Sequence, residues 1–364
     1  MSVFYPEDFK PFSSGLTNHW GSLYGSSEAL ALLEFAESQK RIVVYIAKDI
    51  AHYDEIQKAL KFFNSSIKIL DFSSWEVLAF DHFSPHPDIV SSRLDTLSKL
   101  STLEAGIVIT TLETLSQKLC PTDYIDRYSL SLCVGQTLEI EPFVDRLIKI
   151  GYRRVSTVME QGEFSIKGAL IDLYPMGTKY PYRIDLFDNE IDSIRTFKAS
   201  TQRSIEVINK IKLLPAREFA SDNESISTFK SNYLSEFGNT DGFIYNEVSE
   251  GRFPGGIEFY LPLFFDKTNT LFDFLNTEPI VVYQKGLSEV MKNQSHELLE
   301  RYEHCNHSLE RLPLEINKVF LSTEEFFKLI KDKNQIQTQS SKIDQIGALN
   351  FSSTILPPVK IQAQ

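Results

Sequence analysis

Cysteine is scarce and scattered. Cys120, Cys133 and Cys305 lie too far apart for a disulfide framework, and no CxxC pair exists to begin a zinc site. His304-Cys305-Asn306-His307 is dense in ligands, but it has no second pair at matched spacing to complete a tetrahedral set. Long apolar runs are missing too. Nothing approaches the roughly 18 residues a membrane helix needs. The opening MSVFYPEDFKPFSS has no basic stretch followed by an apolar one, so no secretory signal is expected and the cytoplasm is the expected compartment. Positive charge is in deficit: 37 Lys and Arg face 49 Asp and Glu, a formal net charge of −12. Such a chain repels a phosphate backbone as a whole, which points to protein partners rather than DNA. Catalytic signatures are also lacking, with no GxSxG and no HExxH. Asp81, His82, His86 and Asp88 crowd together in FDHFSPHPDIVSSR, but Ser84-Pro85-His86-Pro87 reads as a turn before a helix from about Ile89 rather than an acid-base site.

What is present is a strand-helix alternation. Arg41–Ala47, Ile67–Phe72 and Gly106–Thr110 are short apolar runs rich in β-branched residues, the pattern of buried parallel strands. Ala51–Phe63 and Ser91–Leu103 have helical spacing between them. This predicts a doubly wound α/β sheet. From about residue 128 to 217 short strands dominate: Ser129–Val134, Tyr152–Met159, Glu163–Lys167, Ala169–Tyr174, Tyr182–Phe187, Ile191–Phe197 and Ile205–Leu213. One helix, about Glu141–Ile150, precedes most of them. Phe187-Asp188-Asn189-Glu190 predicts a tight hairpin, since Asp and Asn tolerate the left-handed backbone it requires. Helices and a strand at Pro279–Tyr283 then return, with a helix start at Ser221–Glu224 and a long charged helix over Ser288–His304. The expected organisation is a first α/β half over 1–127, an α+β insert over 128–217, a second α/β half over 218–339, and a Ser, Gln and Pro rich linker over 340–364.

The first half carries Trp20-Gly21-Ser22-Leu23-Tyr24-Gly25-Ser26-Ser27-Glu28-Ala29 where a nucleotide-binding domain would carry GxxxxGK[ST]. Glu28 and Ala29 replace the lysine that holds phosphates and the hydroxyl that binds magnesium. A carboxylate repels a triphosphate and Ala offers the metal no oxygen, so no cofactor and no ATP hydrolysis are expected of this chain.

The insert differs in charge from its surroundings. From Phe143 to Arg217 there are 13 Lys and Arg against 9 Asp and Glu, a net of +4, which leaves −16 for the remainder. A basic element on an acidic body suits an acidic partner. Side chains alternate across a strand. In Tyr182–Phe187, Ile184 and Leu186 therefore take the core face and Arg183, Asp185 and Phe187 the other. Lys167 shares the polar face of its own strand with Glu163 and Ser165. A Phe beside an Arg on a polar face is the kind of pair that interface hot spots use.

Five stretches carry a family resemblance: SSWEVLAFDHFSPHPDIVSSRLDTLSKL (73–100), GYRRVSTVMEQGEFSIKGALIDLYPMG (151–177), PYRIDLFDNEIDSIRTFKASTQRS (181–204), LLPAREF (213–219) and GGIEFYLPLFF (255–265). In order and spacing the chain resembles the amino-terminal, UvrB-homology module of bacterial transcription-repair coupling factors, the Mfd family. The likeness covers about residues 15–335. It implies a degenerate helicase-type, RecA-like domain interrupted by the insert, and a role in recruiting the excision-repair protein UvrA. It also implies a longer protein with ATP- and magnesium-dependent DNA translocation, contacts to RNA polymerase and double-stranded DNA, and a carboxy-terminal domain that masks the UvrA surface at rest. The family's UvrA contacts fall on Lys167, Arg183 and Phe187, with Lys167 standing where the family carries Arg. That change keeps the charge and loses the bidentate fork.

Overall fold

The computed structural model describes residues 17–63, 66–238, 240–306 and 311–354. The strands in chain order are β1 (Thr17–Gly21), β2 (Ile42–Ala47), β3 (Ile69–Phe72), β4 (Gly106–Thr111), β5 (Leu130–Cys133), β6 (Arg153–Arg154), β7 (Glu163–Lys167), β8 (Leu170–Tyr174), β9 (Tyr182–Phe187), β10 (Glu190–Lys198), β11 (Arg203–Ile208), β12 (Lys210–Leu213), β13 (Ile280–Gln284), β14 (Asn334–Thr338) and β15 (Leu349–Asn350).

Seven of them form one parallel sheet in the order β15-β1-β14-β13-β2-β4-β3. All six residues of β2 are buried, because helices cover both faces. On one face Val43, Tyr45 and Ile109 pack under α1 (Ser27–Gln39) and α2 (Ile50–Phe63), through Leu32, Phe35, Ile56 and Leu60. On the other, Val44, Ile46 and Val108 meet Leu94 and Leu97 of α3 (Pro87–Leu100). His86 serves as the cap of α3: its ring Nδ1 accepts from the Asp88 amide at 3.3 Å, with Pro87 opening the first turn. Those residues stand where an acid-base reading was set aside, and here they start a helix.

The insert is a second sheet, six strands in the order β11-β10-β9-β8-β7-β6, antiparallel apart from the β6–β7 pair. Its core face presents Phe164, Ile171, Ile184, Ile191 and Ile194, which belong to the same apolar cluster as Val44 and Val108 of the parallel sheet. Helix Ile140–Lys149 adds Phe143 and Leu147 to that cluster. The expected strand Tyr152–Met159 shrinks to the two residues of β6. The buried Glu163 carboxylate draws the amides of Met159 and Glu160 at 2.8 and 2.9 Å, turning the chain out of the sheet and over its outer face. The expected strand Ile205–Leu213 divides as well. β11 pairs with β10, whereas β12 pairs with β5 in a separate two-stranded sheet.

A third cluster is aromatic. Leu263 and Phe264 of LPLFFDKTNTLFDFL pack with Phe219 and Phe229, while Leu271, Phe272 and Phe274 turn under the parallel sheet. The body and the end of the insert are clamped by Arg93 of α3 and Glu218. Arg93 Nε donates to Glu218 Oε1 at 2.6 Å and Nη1 to the Ser73 carbonyl at 2.7 Å, with neither side chain exposed. Past β14, composition predicts a linker from residue 340. The chain there returns to the sheet edge: Asn350 bonds the backbone of Ile343 in both directions at 2.8 Å, and Phe351 packs edge-on to Trp20. The described part ends at 354. No described helix is long and apolar enough to cross a membrane. Among the described residues no three His, Cys, Asp or Glu side chains gather as metal ligands, and His307 lies outside them.

Candidate partner-binding surface

The register of the inserted sheet fixes where the three predicted contact residues fall. On the outer face Ser165 stands opposite Asp172, Asp172 opposite Arg183, and Arg183 opposite Arg195. The next row toward the tip runs Lys167, Leu170, Asp185 and Ser193. Phe187 ends β9 beyond that row, and the Leu186 amide donates to the Ala169 carbonyl at 2.9 Å. Lys167 and Phe187 thus share the open tip of the sheet, beside the β7–β8 turn, and Arg183 lies further in. The β9–β10 hairpin forms as predicted, with Asp188 at φ 52°.

Phe187 is 73 % exposed and flanked by charged and polar neighbours. A benzyl ring left in water by the monomer is apolar area that a partner can cover. Lys167 is exposed and makes no ion pair with a described residue. Arg183 differs from the expectation of a cation free for a partner. Its Nε and Nη2 grip Asp172 at 2.7 and 2.9 Å, Nη1 donates to the Gln202 carbonyl at 3.2 Å, and its plane lies over Phe197 at 4.8 Å. Those bonds to Asp172, against the cost of burial, raise the guanidinium's pKa above its ordinary value. Only 19 % of the side chain is exposed. Asp172 sits between Ile171 and Leu173, so the alternation of LIDLY already put it on the polar face. What the sequence does not disclose is that it lies opposite Arg183. Val207, 67 % exposed on the edge strand β11 opposite Arg195, extends the apolar part of this face.

The segment compared with a phosphate loop borders a cleft. That cleft, about 790 Å³, lies beyond the carboxyl ends of the adjacent strands β2 and β13, where doubly wound sheets bind their ligands. Glu28, in the first turn of α1, is buried there. Its Oε1 accepts from the Tyr45 hydroxyl at 2.8 Å and from Thr338 Oγ1, and its Oε2 from Gln284 Nε2 at 2.9 Å, with His52 Nε2 at 3.6 Å. Burial alone would raise this carboxyl's pKa, but His52, Thr338 and Gln284 together hold it below the usual range. A buried carboxylate held by four side chains thus forms part of the wall of this cleft.

Fold and surface together define a class: a doubly wound α/β body bearing an inserted, mainly antiparallel sheet whose tip exposes Phe187 and Lys167. Residues 130–219 match the family described as the UvrB interaction domain. The chain is 34 % identical over 366 residues to a transcription-repair-coupling factor of Escherichia coli (strain K12), covering 99 % of this chain and 32 % of that protein. It is 35 % identical to the transcription-repair-coupling factor of Haemophilus influenzae over 94 % of this chain and 30 % of that one. The chain belongs to the transcription-repair-coupling factor family, and it spans about a third of the length of these relatives.

Proposed function

We propose that the tip of the inserted sheet is a docking surface that recruits UvrA in transcription-coupled nucleotide excision repair. The observation that carries this reading is Phe187, a large apolar side chain left 73 % exposed next to the unpaired Lys167, on a net-basic insert of an acidic chain. Phe187 is the apolar anchor and Lys167 the available cation. Arg183 braces the face by gripping Asp172 and packing over Phe197, and it leaves only 19 % of its side chain to a partner. The matching UvrB interaction domain supports the choice of partner.

In this reading the chain acts in the cytoplasm as the adaptor part of a longer machine. RNA polymerase contacts, ATP- and magnesium-dependent translocation on double-stranded DNA, and a carboxy-terminal domain that covers Phe187 at rest belong to the remainder of that protein. The parallel sheet described here is a scaffold without nucleotide, since a triphosphate would have to displace the Glu28 carboxylate from its four partners. Capture of purified UvrA by this chain, compared with its Phe187→Ala and Arg183→Ala variants, tests the proposal. Equal capture by a folded double variant would overturn it.

A further inference from the structure

A second cleft, about 380 Å³, opens between the inserted sheet and the parallel-sheet body, away from the tip that carries Phe187. Four of the five stretches that carry the family resemblance meet there, contributing Ser84, Gly151, Arg217 and Glu258. Recruitment through the sheet tip leaves all four unexplained.

Arg217 is the unusual member. Its guanidinium stacks on Phe253 at 4.6 Å and on Phe219 at 5.6 Å, and its backbone carbonyl accepts from the Tyr124 hydroxyl at 3.0 Å. The stem runs so close to Gly151 that a Cβ there would meet Arg217 Cγ at 2.9 Å, and Gly151 itself takes φ +93°. The side chain is thus held in place from three sides. Yet none of its five donors bonds or pairs with a described residue. The other half-buried arginines all spend theirs: Arg183 on Asp172, Arg195 on Asp185, Arg301 on the Ala79 carbonyl and Arg311 on the Gly255 carbonyl. Burial also depresses the pKa of Arg217, and the nearby Glu258 charge, which makes no ion pair with it, offsets that only in part. Gln161, on the same cleft, gives its amide N–H to the Thr178 carbonyl at 2.8 Å and leaves Oε1 buried with no donor.

We infer that this cleft is a binding site for a carboxylate carrying an adjacent N–H, as an acidic residue within a peptide presents it, with Arg217 as the recognising fork. A planar guanidinium packed against two neighbouring rings is pre-organised for bidentate contact with a carboxylate. The adjacent N–H answers Gln161 Oε1. The surrounding charge selects against a dianionic phosphate. Glu218 is neutralised by Arg93, but Glu163 and Glu160 share the single Arg153, and Glu258 lies near the mouth as well. Glu258 accepts from Ser84 Oγ at 2.8 Å, and burial pushes its carboxyl above the ordinary range, so one further negative charge is tolerated better than two.

The test follows the Nε–Hε resonance of Arg217 by NMR in the whole chain. The probes are N-acetylglutamate N-methylamide, its glutamine counterpart, butyrate and inorganic phosphate. The expected result is a saturable shift with the glutamate probe, half-complete between about 1 and 10 mM, the range a fragment of this size reaches. The glutamine probe and phosphate should give none. Weaker binding of butyrate, a monocarboxylate without the N–H, is expected, and equal binding would overturn the part given to Gln161. Arg217→Lys should weaken the glutamate probe at least about tenfold, read from amide shifts of Gly151 and Gly162, with melting of the chain unchanged. No saturable shift with any carboxylate, a preference for phosphate, or undiminished binding by Arg217→Lys would each overturn the assignment.

Discussion

Replacing Phe187 by alanine removes a ring that the monomer leaves 73 % exposed. A Phe side chain can bury about 150–250 Å², so roughly 110–180 Å² of this one is free to be covered. At about 25 cal/mol per Å² that area is worth roughly 3–4 kcal/mol, of which the alanine methyl retains part. The expected loss of UvrA affinity is about 2–3 kcal/mol, or roughly 30- to 150-fold in Kd. The fold itself should hardly respond, because an exposed ring contributes little to packing; the change in unfolding free energy should stay within about 0.5 kcal/mol. Isothermal titration of purified UvrA into both forms, with urea unfolding run in parallel, reads both quantities. Val207→Ala supplies an internal comparison, since Val207 is 67 % exposed on the same sheet but at its edge. Affinity within about threefold for Phe187→Ala, or an equal loss for Val207→Ala, would refute the idea that the tip is the energetic centre of the contact.

Arg183→Lys should destabilise the chain by about 1–2 kcal/mol through loss of the fork to Asp172 and of the plane over Phe197, and Arg183→Ala by more, because it leaves the buried Asp172 charge without its partner; urea midpoints check both. Arg93→Ala should cost about 3–5 kcal/mol by leaving Glu218 buried and uncompensated, while the double change Arg93→Met, Glu218→Leu should recover most of it; thermal and urea unfolding decide, and a mild single variant would refute the clamp. The Glu28 carboxyl has a depressed folded-state pKa, so its stabilisation is complete above the unfolded value near pH 4.3 and is lost as pH falls through the folded one. Glu28→Gln should therefore lower the melting temperature at pH 7 and flatten its decline on the acid side, and ATP with magnesium should shift the melting of neither form.

The parallel sheet was legible in the sequence because buried strands such as IVVYIA and GIVIT are apolar throughout, a signal local to each run. Phe187 was legible for the related reason that parity along one strand decides its face. What escaped depends on residues far apart in the chain. Glu28 is satisfied by Tyr45, Gln284 and Thr338, which lie 17, 256 and 310 residues away. Local spacing sees the Glu where a phosphate loop carries Lys but not the four side chains that hold its carboxylate. Arg183 reads as a free cation until the pairing of β8 with β9 sets Asp172 beside it. The overlong strand at Tyr152–Met159 failed for a similar reason: its β-branched residues are real, but a single buried acid at Glu163 offers their neighbours a better bond than the sheet does. Arg217 was quoted in the sequence only as a letter of LLPAREF, since a lack of partners is a property of three dimensions.

Ile171 and Ile184 of the insert share one unbroken apolar cluster with Val44 and Val108 of the body. The insert is anchored to the body through that shared core, beside the cleft that Arg217 lines. A protein that grips the ring at the tip therefore takes hold of a rigid handle, and a pull on that handle is borne by the central strands without slack. A partner recruited there, as proposed, is fastened to the core of the molecule and not to a loose appendage.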